Sequence, residues 1–488
     1  MSPRTRTPSL LVRNAQVVTM DPDRRVLRSG WLAVDSDRIV GLGPGDDCPY
    51  DRAERVIDAS GMALLPGFVN AHTHAIHILL RGGLSDDRAL YDWLFNVVLP
   101  GLRAYRREDV EVAARLFCLE ALRSGITTFV DNVEFPTERW DMAADTAIGV
   151  YRDAGLRVMF ARMFYDHTPD DFLPVLAAIE AKEPEVRHDP GGIEPAAEAL
   201  AAIERLMRRH HGAGDGRIQV WPSPGVARFC TREGLLGARD LARRFGTMLT
   251  LHLAESPLDR RQGGLSSVQY LGSIGFLGPD VLAGHCVQTD ANDIRTLRSF
   301  DVKVANNPVS NLLLASGIAP VAEMQAAGII VGLGTDDGNC NGSVNIVADM
   351  KFAALAQKGR YRDAAAITAE KVLEMATIDG ARAVGLADQI GSLEVGKKAD
   401  LVLLQLGRAN LVPCHSVASV LVYQADGTEV DTVVVDGRVL LEGRRPPEMG
   451  PGEEAELLAR AQAASERIAG EARLAGYPDR PWWSMRGV

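Results

Sequence analysis

The sequence predicts an α/β protein in which a TIM-like (β/α)8 barrel carries a small β-sandwich built from the two ends of the chain. Eight short apolar runs recur between about residues 63 and 337, and helix-length segments separate most of them. Runs without polar alternation fit strands buried on both faces, and their alternation with helices favours parallel pairing. Both ends of the chain instead alternate apolar and polar residues, as antiparallel strands do.

The predicted sandwich takes its first part from residues 1–62. There, SLLVRNAQVVTM and WLAVDSDRIVGLG alternate with period two, and a polar turn at residues 35–37 predicts a hairpin. The second part, residues 389–446, contains GKKADLVLLQL and VASVLVYQADGTEVDTVVVDGRVLLEG. Its β-branched runs flank two Asp-Gly pairs, at 426–427 and 436–437, which are typical of hairpin turns.

The predicted barrel covers residues 63–388, and a C-terminal helical tail covers residues 447–488. Segments between the runs, such as REDVEVAARLFCLEALRSG, often end at glycine, a usual helix stop. The tail opens with RRPPEMGPGEEAEL, which we interpret as an exposed linker before a helix and a loose end. The eight runs are ALLPGFVNAHTH, GITTFVDN, RVMFARMF, IQVWPSP, MLTLHLAES, VLAGHCV, VKVANNPVSN and IIVGLGTDD.

Composition argues against several classes of partner. The net charge of -11 and the pI of about 5.5 argue against nucleic acid or an anionic membrane as the main partner. No apolar stretch is long enough to span a bilayer, and the first residues lack a signal-peptide core. The six cysteines form no CxxC pair, which is typical of reduced thiols. We therefore predict a cytoplasmic protein that binds a small molecule.

Acid–base and metal-binding residues stand at the ends of four of the predicted strands. The first run ends in AHTH, so His72 and His74 are two residues apart and present both imidazoles on one face. The fifth run ends at His252, the sixth at His285 and the eighth at Asp336. Catalytic groups of a barrel gather at the carboxyl ends of its strands, so these side chains are expected to meet.

This set suits a catalytic metal site. Three neutral imidazoles and one carboxylate hold a divalent ion and leave a position for water, whose pKa then falls to about 7 in favourable cases. Asp336 beside that water accepts its proton, and the ion supplies the positive charge that this carboxylate needs. Glu255, shortly after the fifth run, is a second acid that carries a proton to the heterocycle under attack.

Longer motifs resemble the amidohydrolase superfamily over nearly the whole chain. PGFVNAHTH, HLAE, GHC, the closing GTD and GSLEVGKKADLVLL carry this resemblance. More narrowly, five segments resemble the s-triazine hydrolases, a subgroup with melamine deaminases and atrazine chlorohydrolases. These segments are LYDWLFNVVLPG, EALRSGITT, PVSNLLLASGIAPV, GTDDGNCNGSVN and EMATIDGARAVGL.

The resemblance implies a role for each residue at the strand ends. It implies one divalent metal ion, Zn²⁺ or Fe²⁺, with Glu255 as the proton-shuttling acid. It also implies that His285 is a hydrogen-bond donor that stabilises the attacking water and the tetrahedral intermediate. The implied ligands are His72, His74, His252 and Asp336. We also expect a homo-oligomer.

The same resemblance provides candidate substrate contacts. Asp337 and Cys340 are similar to the deaminating relatives, whereas the dechlorinating relative has Asn and Ser at these positions. Leu90 agrees with the deaminating relatives, and Val98 agrees with the dechlorinating one. His77 stands where the triazine enzymes have Gln, so the part of the pocket that faces the ring differs.

The sequence therefore predicts a metal-dependent hydrolytic deaminase of an amino-substituted nitrogen heteroaromatic ring that releases ammonia. The ring is an s-triazine such as melamine, or a related pyrimidine or purine, and Trp93 either stacks on it or packs in the core. The alternatives are dehalogenation of an s-triazine, deamination of an adenosine or S-adenosylhomocysteine type of nucleoside, and a metal-free scaffold. The joint presence of the four ligand positions, Glu255 and His285 argues against the scaffold.

Overall fold

The structure, a computed structural model, describes residues 7–188, 192–259 and 264–474. Its strands lie in three sheets, one with strands from both ends of the chain and two with strands from the middle. The strands are β1 (Leu10–Val18), β2 (Val26–Asp35), β3 (Arg38–Pro44), β4 (Arg55–Asp58), β5 (Met62–Pro66), β6 (Phe68–His74), β7 (Ile126–Val133), β8 (Arg157–Phe164), β9 (Ile218–Pro224), β10 (Leu249–Leu253), β11 (Val281–His285), β12 (Lys303–Asn306), β13 (Val331–Leu333), β14 (Asp336–Asp337), β15 (Leu401–Gln405), β16 (Val430–Val435) and β17 (Arg438–Leu441).

Helices cover most of the chain between the strands of the two middle sheets. The α-helices are α1 (Leu90–Trp93), α2 (Leu99–Arg103), α3 (Arg107–Arg123), α4 (Trp140–Ala154), α5 (Leu173–Glu180), α6 (Ala196–His210), α7 (Arg232–Phe245), α8 (Ser267–Ser273), α9 (Ala291–Ser299), α10 (Pro308–Leu313), α11 (Val321–Ala326), α12 (Gly338–Asn341), α13 (Ile346–Tyr361), α14 (Ala369–Ala376), α15 (Ile378–Ala383), α16 (Val417–Tyr423) and α17 (Glu453–Ala472). Short 3-10 helices cover Gly45–Asp47, Ala75–Leu80, Thr137–Arg139, Ala227–Phe229 and Pro257–Asp259, and a π-helix covers Leu94–Val98. Within the described residues, no helix is both long and apolar enough to cross a membrane.

The two ends of the chain form one sheet of eight strands, here called the terminal sheet. Its order is β17-β16-β15-β5-β1-β2-β3, and β4 pairs with β1. β2 and β3 form the predicted antiparallel hairpin, in which Asp35 faces Arg38. β5 contains both Met62 and Ala63, so it crosses the predicted boundary between these residues. It pairs with both β1 and β15. The first apolar run is therefore divided between the terminal sheet and a middle sheet.

One segment for which the sequence predicts a β-hairpin arm is a helix. The run VASVLVY forms α16, so residues 426–427 are not a hairpin turn. The hydroxyl of Ser416 accepts a hydrogen bond from the backbone N–H of Ser419 and caps the helix, which packs against α13 and α14. Capping and tertiary packing here override the strand preference of the β-branched valines. The second predicted turn, at residues 436–437, does join the antiparallel strands β16 and β17.

Each of the eight apolar runs contains a strand of a parallel sheet. One sheet has the order β14-β6-β7-β8-β9 and the other has the order β10-β11-β12-β13. Every pair in both sheets is parallel. A parallel bridge joins Val226, just after β9, to His252 in β10. The predicted α/β class with parallel strands in the middle of the chain is confirmed.

The middle strands are buried along their length, and their carboxyl ends meet at one edge. All residues of β6, β7 and β8 are buried, as expected of strands covered on both faces.

The helices that return the chain to the next strand have well-defined ends. For example, Thr231 caps the start of α7 by accepting from the backbone N–H of Gly234, and Gly246 ends that helix with a φ of 65°.

The C-terminal helix α17 lies against α3 and the 3-10 helix Ala75–Leu80. The hydroxyl of Ser465 in α17 donates to the carbonyl oxygen of Leu79 at 2.7 Å. The described part of the predicted tail thus contacts the segment that directly follows β6. The rest of that predicted tail, residues 475–488, lies outside the described residues.

Candidate active site

Four side chains from three strands converge at the carboxyl edge of the parallel sheets. His74 Nε2 lies 3.1 Å from His252 Nε2, and Asp336 Oδ1 lies 3.5 Å from Nε2 of both His72 and His74. All four side chains are buried. Possible ligand atoms of His72, His74 and Asp336 all lie within 4.8 Å of one another. The structure therefore brings together the four residues predicted to bind a metal, here called the ligand cluster.

The ligand cluster fits a divalent metal ion. His72 Nε2 is buried without a hydrogen-bond partner, which is costly unless another group binds there. Burial lowers the pKa of His74 and His252 well below its usual value, so both rings are neutral and can give a lone pair to a metal. Burial alone would raise the pKa of Asp336, but the imidazoles, His285 first, hold this pKa well below its usual value. An ionised carboxylate among neutral imidazoles is a donor set that suits zinc.

Polar groups from neighbouring strands orient two of the ligand rings. His252 Nδ1 donates to the carbonyl oxygen of Gly225 at 3.0 Å, which leaves Nε2 as the lone-pair donor. The side-chain amide of Asn132 lies 3.0 Å from His72 Nδ1. Asn132 was not predicted from the sequence, although it lies near the end of the run GITTFVDN, where the strand-end rule applies. A backbone carbonyl such as that of Gly225 gives no sequence signal.

Two residues of α10 hold the carboxylate and the fourth histidine. The hydroxyl of Ser310 donates to Asp336 Oδ2 at 2.5 Å. His285 Nδ1 lies 2.9 Å from Asn311 Oδ1, so in the neutral ring Nδ1 carries the proton and Nε2 faces the ligand cluster as an acceptor. Both partners follow Pro308, the first residue of the helix, and neither was predicted from the sequence.

Ala254, His285 and Asp336 are among the residues at this edge that adopt left-handed backbone conformations. The φ angles are 52° at Ala254, 68° at His285 and 58° at Asp336. Positive φ is uncommon outside glycine, and such residues concentrate at functional sites. A left-handed residue changes the direction of the chain. It therefore sets the direction in which the side chains of His285 and Asp336 point.

Glu255 and His285 lie next to the ligand cluster. His285 Nε2 lies 3.6 Å from Glu255 Oε2 and 3.8 Å from Asp336 Oδ2. Burial, together with the charges of Asp336 and Asp259, raises the pKa of Glu255 well above its usual value. A carboxyl group with a raised pKa can take up and release a proton under mild conditions, as a general acid–base must. Burial also lowers the pKa of His285 to about 4, so its ring is neutral.

A small cavity, here called the catalytic cavity, adjoins these groups. Its volume is about 40 Å³, room for roughly three water molecules if each needs about 10–15 Å³. Two of the predicted substrate contacts, Leu90 and Trp93, line it. The residues of the predicted metal and acid–base site on its wall are His74, His252, Glu255, His285 and Asp336. Further lining residues, none predicted from the sequence, are Tyr91, Leu94, Glu134, Met163, Tyr165, Val226 and Leu314.

The other three predicted substrate contacts do not line the catalytic cavity. His77 Nδ1 lies 2.8 Å from Asp337 Oδ1, both side chains are fully buried, and so is Cys340. Asp336 and Asp337 are consecutive residues of β14, so their side chains point to opposite faces. Burial raises the pKa of Asp337 well above its usual value and lowers that of His77. These three residues thus lie behind the ligand cluster, and their contact with a substrate stays a prediction.

The match to a protein family covers most of the chain. Residues 63–440 match the Amidohydrolase family. The chain belongs to this family. It is 35% identical to an s-triazine hydrolase of Gordonia rubripertincta, over 98% of this chain and 99% of the relative. It is 38% identical to a 5-methylthioadenosine/S-adenosylhomocysteine deaminase of Desulforudis audaxviator, over 89% of this chain and 94% of the relative.

A solved structure supports the same membership. An adenosine deaminase from Xanthomonas campestris, solved with bound zinc, is similar to this chain with a TM-score of 0.84. It is 29% identical in sequence, and the match covers 95% of this chain and 99% of that one. The prediction of an amidohydrolase is confirmed, and the chain is a hydrolase that acts on carbon–nitrogen bonds. This chain has a buried, histidine-rich site suited to a metal ion, and that similar structure was solved with bound zinc.

Proposed function

We propose that this amidohydrolase is a metal-dependent deaminase of an amino-substituted nitrogen heteroaromatic ring and that it releases ammonia. The observation that carries the proposal is the position of Glu255, a buried carboxyl group with a raised pKa beside the ligand cluster and on the wall of the catalytic cavity. A ring that enters this cavity meets an acid–base group and a metal site together. Hydrolysis of an aromatic amine needs both, because water must lose protons and the ring and the amine must gain them.

A divalent ion held by His72, His74, His252 and Asp336 would lower the pKa of a water molecule towards neutrality and polarise it. Glu255 accepts one proton of this water while the water oxygen forms a bond to the ring carbon that carries the amino group. Glu255 then gives that proton to the adjacent ring nitrogen. Its raised pKa makes the Glu255 carboxylate a stronger base, which favours uptake of the proton from the water.

Asp336 takes the second proton of the water, and His285 lies beside it. Asp336 accepts the second proton of the water and passes it to the amino nitrogen, the carbon–nitrogen bond breaks, and ammonia leaves a ring that now carries a carbonyl and an N–H. Both protons of the water are then assigned, so His285 acts here as a positioning group: its Nδ1 donates to Asn311, and its Nε2 lies 3.6 Å from Glu255 Oε2 and 3.8 Å from Asp336 Oδ2. This assignment differs from the donor role that the sequence resemblance implies for His285.

Two classes of ring are candidate substrates. The similarity to an s-triazine hydrolase supports an aminotriazine, and the similarity to adenosine-type deaminases supports a purine nucleoside. Both classes present an exocyclic amino group beside a ring nitrogen, which is the arrangement that Glu255 serves in this mechanism. A chlorinated s-triazine serves as the comparison substrate, because chloride release from it would indicate dehalogenation instead of deamination.

The test measures ammonia release from aminated triazines, pyrimidines and purine nucleosides, and chloride release from a chlorinated triazine. We expect ammonia from at least one aminated ring, and Glu255→Gln to lower kcat about 10²–10⁴-fold while the metal content stays unchanged. Glu233→Gln is the matched control, because Glu233 is an exposed carboxylate in the first turn of α7. Chloride release without ammonia release, or near-normal turnover of Glu255→Gln, would overturn the proposal.

We also propose that the two parallel sheets close into the predicted (β/α)8 barrel. The pairing of β14 with β6 and the bridge between Val226 and His252 support closure, because β13 and β14 lie on one short stretch of chain. The terminal sheet would then be a separate small domain beside the barrel, with the tail from residue 447 packed on the barrel. Zinc or ferrous iron as the ion and a homo-oligomeric state stay predictions, which metal analysis and light scattering of the purified protein test.

A further inference from the structure

A second cavity lies beside the catalytic cavity and is lined by aromatic rings. Six residues line both cavities: Tyr91, Leu94, Glu134, Met163, Tyr165 and Val226. Six further aromatic residues line only the second one: Phe95, Phe135, Trp140, Phe164, Phe172 and Phe229. We call it the aromatic cavity. The shared wall places the aromatic cavity directly beside the catalytic cavity.

The sizes of the two cavities indicate where the bulk of a substrate fits. The aromatic cavity has a volume of about 90 Å³, against about 40 Å³ for the catalytic cavity. At roughly 10–15 Å³ for each water-sized position, the aromatic cavity has about twice the positions of the catalytic cavity. The reacting part of an aromatic ring fits next to Glu255, and any arm attached to that ring finds its space in the aromatic cavity.

The aromatic rings form a continuous packed wall. Phe172 contacts Tyr91 and Phe229, with ring centroids 5.0 Å and 4.9 Å apart, and Tyr91 stacks on Phe95 at 6.3 Å. Phe172 is fully buried, and Phe229 is nearly so. Such a wall gains free energy when it covers apolar groups, and sulfur packs well against ring edges. Apolar arms, including thioethers, therefore suit this cavity.

The charges on the wall exclude one kind of arm. Glu134 and Glu194 are its acidic residues, and no lysine, arginine or histidine is among the described residues that line it. Arg162 pairs with Glu194 at 2.8 Å but does not line the cavity. Glu134 stands on the shared wall, where the hydroxyl of Tyr165 donates to it at 3.3 Å. Arg162 offsets the charge of Glu194, so a carboxylate on the arm would meet Glu134 and no cation among the described lining residues, whereas an N–H or hydroxyl near the ring would find an acceptor in Glu134.

We propose that the aromatic cavity is a substrate subsite for an uncharged, apolar arm attached to the aminated ring. The proposal rests on the proposed deaminase function and adds the chemistry of the substituent. The preferred substrate then carries an alkyl, thioalkyl or aryl group, and the bare ring and a ring with a carboxylate-bearing arm are both poorer. An N-alkylated aminotriazine and a purine nucleoside with an apolar 5′ group share this chemistry.

The test compares kcat/KM for ammonia release within two matched substrate sets. The first pairs melamine with an N-alkyl melamine, and the second compares adenosine, 5′-methylthioadenosine and S-adenosylhomocysteine. In the set that is turned over, we expect the apolar arm to raise kcat/KM at least about tenfold over the bare compound, the usual scale for an added group in an apolar pocket. S-adenosylhomocysteine, whose arm carries a carboxylate and an ammonium group that would both lose their hydration in this apolar cavity, is expected below 5′-methylthioadenosine. The set that is turned over identifies the source of the ring.

Variants in α5 test whether the cavity itself causes the preference. Leu176 lines the aromatic cavity, so Leu176→Trp fills it and is expected to lower the ratio of kcat/KM for the apolar-armed over the bare substrate about tenfold. Leu173→Trp is the control, because Leu173 lies in the same helix, is 49% exposed and does not line the cavity. The ratio should stay unchanged in this control. Leu176→Ala, which serves if the Trp variant does not fold, should shift the preference to a larger arm.

Failure of this subsite differs from failure of the deaminase function. Absence of ammonia from every substrate in both sets overturns the proposed function and the subsite with it. Ammonia release at equal or greater kcat/KM from the bare compounds overturns the subsite alone. The subsite is equally overturned if neither Leu176 variant changes the ratio or if the Leu173→Trp control changes it as much.

Discussion

Two buried groups of charged and polar side chains lie at opposite ends of the parallel strands, and they differ in how their atoms are paired. At the start of β8, Arg157 donates to both Asp400 and Asp436, and the backbone N–H of Asp436 donates to Asp400. These residues join a middle sheet to the terminal sheet. At the carboxyl edge, in contrast, His72 Nε2 and His74 Nδ1 are buried without a hydrogen-bond partner.

This comparison indicates which buried polar groups stabilise the fold and which are available to bind a ligand. A buried polar atom without a partner costs about 1–3 kcal/mol, so it persists where another group is to bind. A buried ion pair with all partners present contributes little net free energy, but the loss of one partner strands a charge. We therefore expect substitutions at the carboxyl edge to remove metal and activity, and substitutions at the start of β8 to remove stability.

The largest expected effect is the loss of metal when a ligand is removed. His72→Ala and His252→Ala each delete one of four protein donors, so bound metal should fall from about one ion per chain towards background, and turnover with it. Metal analysis of purified protein with parallel activity assays makes the measurement. His210→Ala is the control. His210 is the last residue of α6, pairs with Asp145 and is not a member of the ligand cluster. Full metal content in both ligand variants would refute the assignment.

A substitution at the start of β8 should instead lower stability, because it removes the arginine that pairs with Asp400 and Asp436. Arg157→Leu leaves Asp400 and Asp436 buried without their main cation and should lower the free energy of unfolding by about 3–5 kcal/mol. Metal content and kcat per folded molecule should stay unchanged. Urea denaturation measures the loss, and Arg152→Leu, which removes an exposed pair with Asp153, should cost at most about 1 kcal/mol. A variant that kept its stability but lost metal would contradict the division between the two clusters.

A smaller effect is expected from a residue that orients a ligand without binding the ion itself. Asn132 lies 3.0 Å from His72 Nδ1, so Asn132→Ala should free that ring and weaken metal binding about 10–100-fold. Competition with a chelator of known affinity measures the change. Asn292→Ala, at an exposed position in α9, should leave the affinity as it is. Equal affinities of the two variants would mean that the His72 ring is held by packing alone.

The sequence predicts the ligand cluster well because its signal is local. Strand ends can be located from apolar runs, and the rule that catalytic groups gather at the carboxyl ends of parallel strands then brings His72, His252 and Asp336 together. The parallel middle sheets follow from the same runs. The pairing of β5 with the terminal sheet could not be read in this way, since ALLPGFVNAHTH is one continuous run that two sheets share.

What the sequence does not show depends on contacts between distant segments. Ser310 and Asn311 meet Asp336 and His285 only because α10 packs over the carboxyl edge, and no spacing rule relates these positions. The helix α16 has a run of β-branched residues, and its packing against α13 and α14 decides its conformation. The aromatic cavity likewise draws its rings from α1, the π-helix, α4, β8, the 3-10 helix Ala227–Phe229 and loops, so no single motif encodes it.

The smallest expected effect concerns the residues behind the ligand cluster. Cys340 Sγ lies 3.3 Å from Ser310 Oγ, and the Ser310 hydroxyl donates to Asp336 Oδ2, so a hydrogen-bond chain runs from Cys340 to the carboxylate that passes a proton to the amine. Asp337 is adjacent to Asp336 in the chain and holds His77 at 2.8 Å. Ammonia must be protonated as it leaves, whereas chloride leaves without a proton. A change that disturbs proton transfer at Asp336 should therefore slow deamination more than dechlorination.

We expect the double variant Asp337→Asn with Cys340→Ser to lower the ratio of kcat/KM for ammonia release over chloride release about tenfold, the scale of effects from groups next to a metal ligand. The ratio is the proper measurement, because it removes any general loss of folded enzyme. Both residues are fully buried away from the catalytic cavity, so the effect should appear in kcat with KM little changed. A change confined to KM would instead mean that Asp337 and Cys340 act on substrate binding. An unchanged ratio would show that the choice of leaving group is made on the cavity side of the ligand cluster alone.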